Sequence, residues 1–174
     1  MVLRSTTDVM GYAERTELVL LGQERVRLDE GLAEEFAMEA GAEFVWLRGV
    51  RRSAIGRGEV LACSSIYVPL VYSSVLQRPE VGHVPIYRLI DQELGARLDE
   101  IRQHVTAVSV SEGDAQLLGV PAHSSGLRIV RLFLGADGQL LEATVNIHAA
   151  ERFRYSIRLV AMEQGEAPLG SKAL

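Results

Sequence analysis

One arrangement occurs twice in this chain and limits its fold more than any composition figure. A strand-like run leads into a capped helix, and two more strand-like runs joined by a turn follow. In the first copy, residues 17–28 read as a strand broken at Gly22. Asp29 then stands at a helix N-cap with Glu30 in the first turn. Leu32, Ala33, Phe36, Ala37 and Ala40 recur at helical spacing up to Gly41, a residue suited to a left-handed cap. Residues 43–52 and 59–69 are the two strands, with Ser53–Gly58 as a hairpin-type connection. In the second copy, residues 98–110 alternate as a strand, and Ser111 is an N-cap with Asp114 three residues on. A short helix with Ala115, Leu117 and Leu118 stops before Gly119. Residues 126–134 and 139–149 are strands joined by Gly135-Ala136-Asp137-Gly138, whose Asp-Gly pair favours a primed turn. Asp29-Glu30-Gly31-Leu32-Ala33-Glu34 lines up with Ser111-Glu112-Gly113-Asp114-Ala115-Gln116. The chain therefore reads as two similar halves. Between them lie a looser stretch to Pro85 and a short amphipathic helix with Ile86, Leu89, Ile90 and Leu94, ending at Gly95.

Length permits one domain, since 174 residues suffice for a single core and not for two comfortable ones. Residues 1–16 read as an entry segment, 17–162 as the domain with a last strand at 154–162, and 163–174 as a frayed tail. An apolar share of 48% with 24% charged residues excludes intrinsic disorder. The single cysteine, Cys63, excludes an internal disulfide and a cysteine-based zinc cage, and it fits a reducing cytoplasm. Neither a signal peptide nor an uncharged run of about 20 apolar residues is present, so no membrane partner is expected. A formal charge of −5 argues against this chain alone gripping a phosphate backbone.

Candidate chemistry concentrates on the strand 140–149. Alternation puts Leu141, Ala143, Val145, Ile147 and Ala149 on one face, with Leu140, Glu142, Thr144, Asn146 and His148 on the other. Two readings stand: a face washed by solvent, or the wall of a cleft for a small polar ligand. Arg48, Arg51, Arg52 and Arg57 form a second group, of which only one of Arg51 and Arg52 can face a pocket, to clamp a carboxylate or phosphate there or to form surface ion pairs. Tyr67 and Tyr87 suit a ligand border or a core position with a satisfied hydroxyl. His83, His104, His123 and His148 show no helical metal-ligand spacing, and there is no glycine-rich phosphate loop or nucleophile elbow. No metal, cofactor or catalytic residue is expected, and Cys63 reads as a small hydrophobe in a strand.

A family resemblance runs through the chain. Val84-Pro85-Ile86-Tyr87-Arg88-Leu89-Ile90, Val105-Thr106-Ala107 and Ala115-Gln116-Leu117-Leu118-Gly119-Val120-Pro121 carry it, with Asp137-Gly138-Gln139-Leu140-Leu141-Glu142 and Glu151-Arg152-Phe153-Arg154-Tyr155. Trp46-Leu47-Arg48-Gly49-Val50-Arg51 and Ser65-Ile66-Tyr67-Val68-Pro69 extend it into the first half. Together these resemble the UTRA domain, the effector-sensing half of GntR-type transcription regulators of the HutC subfamily. The resemblance implies an α+β, chorismate-lyase-like fold, a mostly antiparallel sheet with packed helices and a pocket between the halves. It implies a cytoplasmic homodimer that senses a small molecule and reaches DNA only through an N-terminal winged helix-turn-helix, which residues 1–16 are too short to hold. Glu142 matches a pocket glutamate, and His148 stands where an aromatic residue is usual. Arg51 matches the second arginine of an Arg-x-Arg pattern, whereas Gly49 replaces the first, Pro85 replaces a serine and Ser64 stands where glutamate is frequent. Those departures weigh against a phosphosugar and leave an amino acid, sugar acid or other small carboxylate as the effector class. The expected ligand-binding set is Arg51, Tyr87, Glu142 and His148, with Ser65, Tyr67, Asn146 and Arg152 as neighbours. The alternative on the same fold is a chorismate pyruvate-lyase-like enzyme.

Overall fold

The computed structural model describes residues 16–53 and 58–155. Its centre is one antiparallel sheet of six strands: β1 (Thr16–Arg27), β2 (Glu43–Ser53), β3 (Val60–Pro69), β4 (Leu98–Ser109), β5 (Ser125–Gly135) and β6 (Leu140–Ala149). Their order across the sheet is β1-β2-β3-β6-β5-β4, so the two halves meet where β3 pairs with β6. The duplication expected from the sequence is thus the architecture, and the α+β class follows from it. Each half contributes one short helix to the back of the sheet, α1 (Glu30–Glu35) and α3 (Glu112–Leu118). Asp29 caps α1 by accepting from the Leu32 N–H at 2.8 Å, and Ser111 caps α3 by accepting from the Asp114 N–H at 3.1 Å. The helices cross over to the opposite half. Ala33 and Phe36 pack with Val130, Leu132, Leu134 and Ala143, while Ala115 and Leu118 pack with Val50 and Cys63. A bidentate ion pair from Arg128 to Glu35, at 2.5 and 2.6 Å, ties α1 to β5.

Among the described residues, only the first half carries a cover on the front of the sheet. A 3₁₀ helix (Leu70–Gln77), the loop 78–85 and α2 (Ile86–Leu94) lie over β1, β2, β3 and the start of β6. Val75, Leu76, Ile86, Leu89 and Ile90 pack on Leu47, Ile66, Val68 and Leu141 beneath them. Gly95, at φ 68°, ends α2 as its sequence predicts.

Several local expectations are corrected. The helix expected to run toward Gly41 ends at Glu35, because Ala37 turns left-handed at φ 53°. The Ala37 N–H then bonds Glu34 O and the Met38 N–H bonds Ala33 O, which satisfies the helix end while Phe36 drops into the core. The stretch read as loose between Pro69 and Arg78 is the 3₁₀ helix. A register shift between Phe133 and Leu134 places Leu140 with the back cluster and Leu141 with the front one, reversing the expected sides of this pair. The turn at 136–139 is of the primed kind, with Asp137 at φ 59°, Gly138 at φ 75° and the Gln139 N–H donating to Ala136 O. The hairpin tip at 54–57 with Arg57, and the last expected strand beyond Tyr155, fall outside the described residues.

Candidate functional site

Strand register decides which polar side chains meet. Ser64 opposes Asn146, and Ile66 opposes Thr144, so Glu142, Thr144, Asn146, Ser64 and Arg51 share the front. Across β5 and β6, Phe133 opposes Glu142, which brings Phe133 and Arg131 to the same face. None of the polar side chains on β6 faces solvent: Glu142, Thr144, Asn146 and His148 are 1–5% exposed. The reading of this strand face as solvated is therefore excluded.

A cavity of about 40 Å³ opens on that face. Arg51, Arg131, Glu142, Thr144 and Asn146 supply its polar lining, and Leu18, Ile66, Phe133, Tyr87 and the loop Gly82–Ile86 supply the rest. Glu142 Oε2 accepts the Tyr87 N–H at 2.8 Å. Tyr87 lies in the first turn of α2, whose N-cap is Pro85 and offers no side-chain cap, so a carboxylate from β6 serves the helix N-terminus instead. Burial pushes the Glu142 carboxyl up to about 7, against the pull of the Tyr87 N–H and the Arg51 charge. The Tyr87 ring stacks on Phe133 with centroids 4.9 Å apart, fixing one wall. Ser64 Oγ donates to Asn146 Oδ1 at 2.6 Å, and Asn146 Nδ2 donates to Thr144 Oγ1 at 3.3 Å. Arg51 Nη1 donates to Thr16 Oγ1 at 3.1 Å, and Arg131 Nε donates to Gln103 Oε1 at 2.6 Å. The result is a bipolar site with two guanidinium groups and one carboxyl around a stacked aromatic pair.

Of the expected residues, Arg51, Tyr87, Glu142 and Asn146 line this cavity. His148 does not: it sits farther along β6, its Nδ1–H donating to Leu61 O at 2.9 Å and its ring stacked on Phe153 at 4.0 Å. Burial, with the Arg131 and Arg51 charges, lowers its pKa to about 4, so it is a neutral core imidazole at neutral pH. Ser65 and Tyr67 point to the back, where Tyr67 stacks on Trp46 at 6.0 Å and meets Phe36 edge-on at 5.2 Å. Arg152 is occupied elsewhere, donating to Leu118 O at 2.8 Å and Gly119 O at 3.3 Å at the C-terminus of α3. Arg131 was absent from the expected set, although an arginine inside the apolar run Ile129–Leu134 is itself a signal, since arginine is seldom buried without a purpose.

Gly49 has a steric origin. A Cβ there would lie 2.7 Å from Val19 O and 3.0 Å from Leu18 Cδ1, because β1 passes close at its bulge between Leu20 and Gly22. No side chain fits.

On the back, beside α3, lies a wider groove of about 440 Å³ lined by residues that include Leu21, Trp46, Arg48, Cys63, Ser65, Asp114, Leu117, Val145 and Ile147. The Arg48 guanidinium lies 5.3 Å from the centroid of the Trp46 ring. Burial pushes the Cys63 thiol up to about 12, which makes it unreactive. Among the described residues there is no group of histidine, cysteine and acidic side chains able to hold a metal ion. No helix among them is long and apolar enough to cross a membrane.

Solved structures share this fold. The effector domain of PhnF from Mycobacterium smegmatis superposes with a TM-score of 0.75 at 16% identity, covering 92% of this chain and 100% of that one. The longer PhnF structure gives 0.72 at 17% identity over 92% of this chain and 70% of that one. A transcriptional regulator of the GntR family from Enterococcus faecalis V583 gives 0.70 at 15% identity over 82% and 99%. No curated protein matches in sequence. The model of the UTRA domain matches residues 10–154, the whole of the described six-stranded sheet and its cover, and the chain belongs to the UTRA domain family.

Proposed function

We propose that this chain is the effector-sensing part of a cytoplasmic, dimeric transcription regulator of the HutC subfamily, and that it binds a small carboxylate, an amino acid or a sugar acid at the front cavity without transforming it. The observation that carries the reading is the bipolar cluster of buried Arg131 and Glu142 with half-buried Arg51 on one face of the sheet. Taking charged groups out of water is costly, and a ligand with an anionic end and a donor-bearing end would offset part of that cost. A cavity of about 40 Å³ holds a few water molecules, whereas pockets for drug-sized ligands run to roughly 300–1,000 Å³. Binding therefore requires the cover to move. The loop Gly82–Pro85 and the first turn of α2 are the parts that shift, and Glu142, which holds that turn, feels the ligand directly. Movement of α2 is then the signal passed to an attached DNA-binding domain.

A thermal-shift screen with amino acids, sugar acids and small carboxylates tests the reading, because a ligand at 100 times its Kd adds about 2.7 kcal/mol of stability. The expected result is a stabilising hit whose affinity falls in Arg51→Ala and Glu142→Gln and is retained in Arg48→Ala, which alters only the back groove. A hit that survives both front substitutions removes the site. Pyruvate release on incubation with chorismate would establish the enzyme alternative instead.

A further inference from the structure

We infer that the outer edge of β4 is the surface through which two copies of this chain join, pairing strand to strand about a two-fold axis at Val105. The inference rests on the dimeric state proposed above and assigns it a place. The sheet has two edges, and they are finished differently. At the β1 edge a bulge interrupts the strand between Leu20 and Gly22, and the Leu18 N–H is taken by Gly82 O at 3.4 Å. The β1 sequence also brings Glu17, Glu24, Arg25 and Arg27. Bulges, charges and covering loops are the usual means of blunting an edge. Among the described residues the β4 edge lacks them over its second half. From Glu100 to Ser109 its register with β5 is unbroken, and His104, Val105, Thr106 and Ala107 are exposed in succession.

The outward row of backbone groups follows from two bonds. The Val110 N–H donates to Ser124 O on the inner side, and Ser125, opposite Ser109, turns its carbonyl to the Ala150 N–H. Alternation then directs the N–H and C=O of Ile101, Gln103, Val105, Ala107 and Ser109 away from β5. Antiparallel pairing of this edge with itself, centred on Val105, sets Ile101 against the partner's Ser109, Gln103 against the partner's Ala107, and Val105 against the partner's Val105. Every outward group finds a match in that register. It also sets Arg102 against the partner's Val108 and His104 against the partner's Thr106, so no like charges face each other. A register centred on His104 opposes two histidines, and one centred on Arg102 opposes two arginines. The Val105 register thus joins two six-stranded sheets into one with an apolar contact at its axis.

Sedimentation equilibrium of the intact chain tests the inference. Val105→Lys puts two ammonium groups face to face at the axis, and Val105→Pro removes an N–H that the β4–β5 ladder does not use. Both are expected to raise the dimer Kd by roughly tenfold or more while leaving the circular dichroism spectrum unchanged. Val71→Lys, on the front 3₁₀ helix at the most exposed large hydrophobic among the described residues (76%), is expected to leave the dimer intact. A wild-type chain that is monomeric overturns the inference together with the dimer, though not the ligand site. A dimer indifferent to both Val105 substitutions overturns the β4 edge alone.

Discussion

The two faces of the sheet at β3 and β6 bury different chemistry under openings of opposite size. On the back, Ala143, Val145, Tyr67 and Trp46 form an aromatic and aliphatic surface beside a groove of about 440 Å³. On the front, Glu142, Thr144, Asn146, Ser64 and Arg131 are all buried, around a cavity of about 40 Å³. The wider opening is where α3 and its N-cap border strands β1, β2, β3 and β6. The narrower one is where the fold retains groups that are expensive to desolvate. Cost, rather than volume, is the reason the front is proposed as the place of recognition.

The comparison is broken most severely at Phe36. Its side chain is 1% exposed and anchors α1 on the strands of the other half. Phe36→Ala is expected to cost about 3–5 kcal/mol in urea unfolding at neutral pH, as large-to-small changes in a packed core do. It touches no residue of the front cavity, so the stability difference between wild type and Glu142→Gln should be preserved in its background. A loss below about 1 kcal/mol would mean that the crossing of the helices contributes little, since surface changes alone reach about half that value.

The pH dependence of stability sharpens the contrast next, because the buried groups that titrate between about 4 and 7 are both on the front of β6. Glu142 is raised from 4.5 to about 7, so between those values the folded chain keeps a proton that the unfolded chain has released, and stability falls as pH rises. His148 is lowered from 6.5 to about 4, so between those values the unfolded chain carries the extra proton, and stability is lost as pH falls. The two contributions oppose each other and overlap between 4.5 and 6.5. Each amounts to roughly 3 kcal/mol across its window. The stability advantage of wild type over Glu142→Gln is expected to shrink by about that amount from pH 4.5 to 7. Relative to His148→Asn, the wild-type advantage is expected to grow by a similar amount from pH 4 to 6.5. Chemical denaturation at several pH values reads both differences, and parallel curves would show that neither group is held as described.

Much of the fold was legible because strands and caps are local. Asp29 and Ser111 announce their helices, Asp137-Gly138 announces its turn, and apolar runs or alternation mark the strands. What was not legible depends on pairing between distant strands. Alternation shows that Ser65 and Tyr67 share one face of β3 and that Glu142 and Asn146 share one face of β6. Whether these are the same face depends on the β3–β6 register, and Tyr67 opposite Ala143 puts them apart. The Leu140–Leu141 reversal needs the bulge against β5, which no local pattern shows. The 3₁₀ helix at Leu70–Gln77 lacks the 3.6-residue period that makes α-helices readable. His148 shares a face with Glu142 as alternation requires, but its carbonyl partner, Leu61, is 87 residues away in sequence.

The smallest expected effect belongs to Arg152, and it separates capping from recognition. A guanidinium near the ligand face is a natural anion clamp, and the sequence places this one just after β6. In the structure its Nη1 and Nη2 reach Leu118 O and Gly119 O, carbonyls at the C-terminal end of α3, and its Nε lies 3.4 Å from a carboxylate oxygen of Glu59. A cation at that end complements the helix dipole, an effect worth about 0.3–1 kcal/mol where it is partly exposed. The ion pair adds little, because Glu59 is more than half exposed. Arg152→Ala is therefore expected to lower stability by about 1 kcal/mol or less, and Arg152→Lys by less still, since an ammonium keeps the charge at the helix end. Neither should change the affinity for a carboxylate that Arg51→Ala abolishes. Calorimetric titration of the three variants decides the matter. If Arg152→Ala weakens binding as much as Arg51→Ala does, this arginine leaves its cap when the ligand arrives, and the site extends along β6 toward His148 as the sequence suggests.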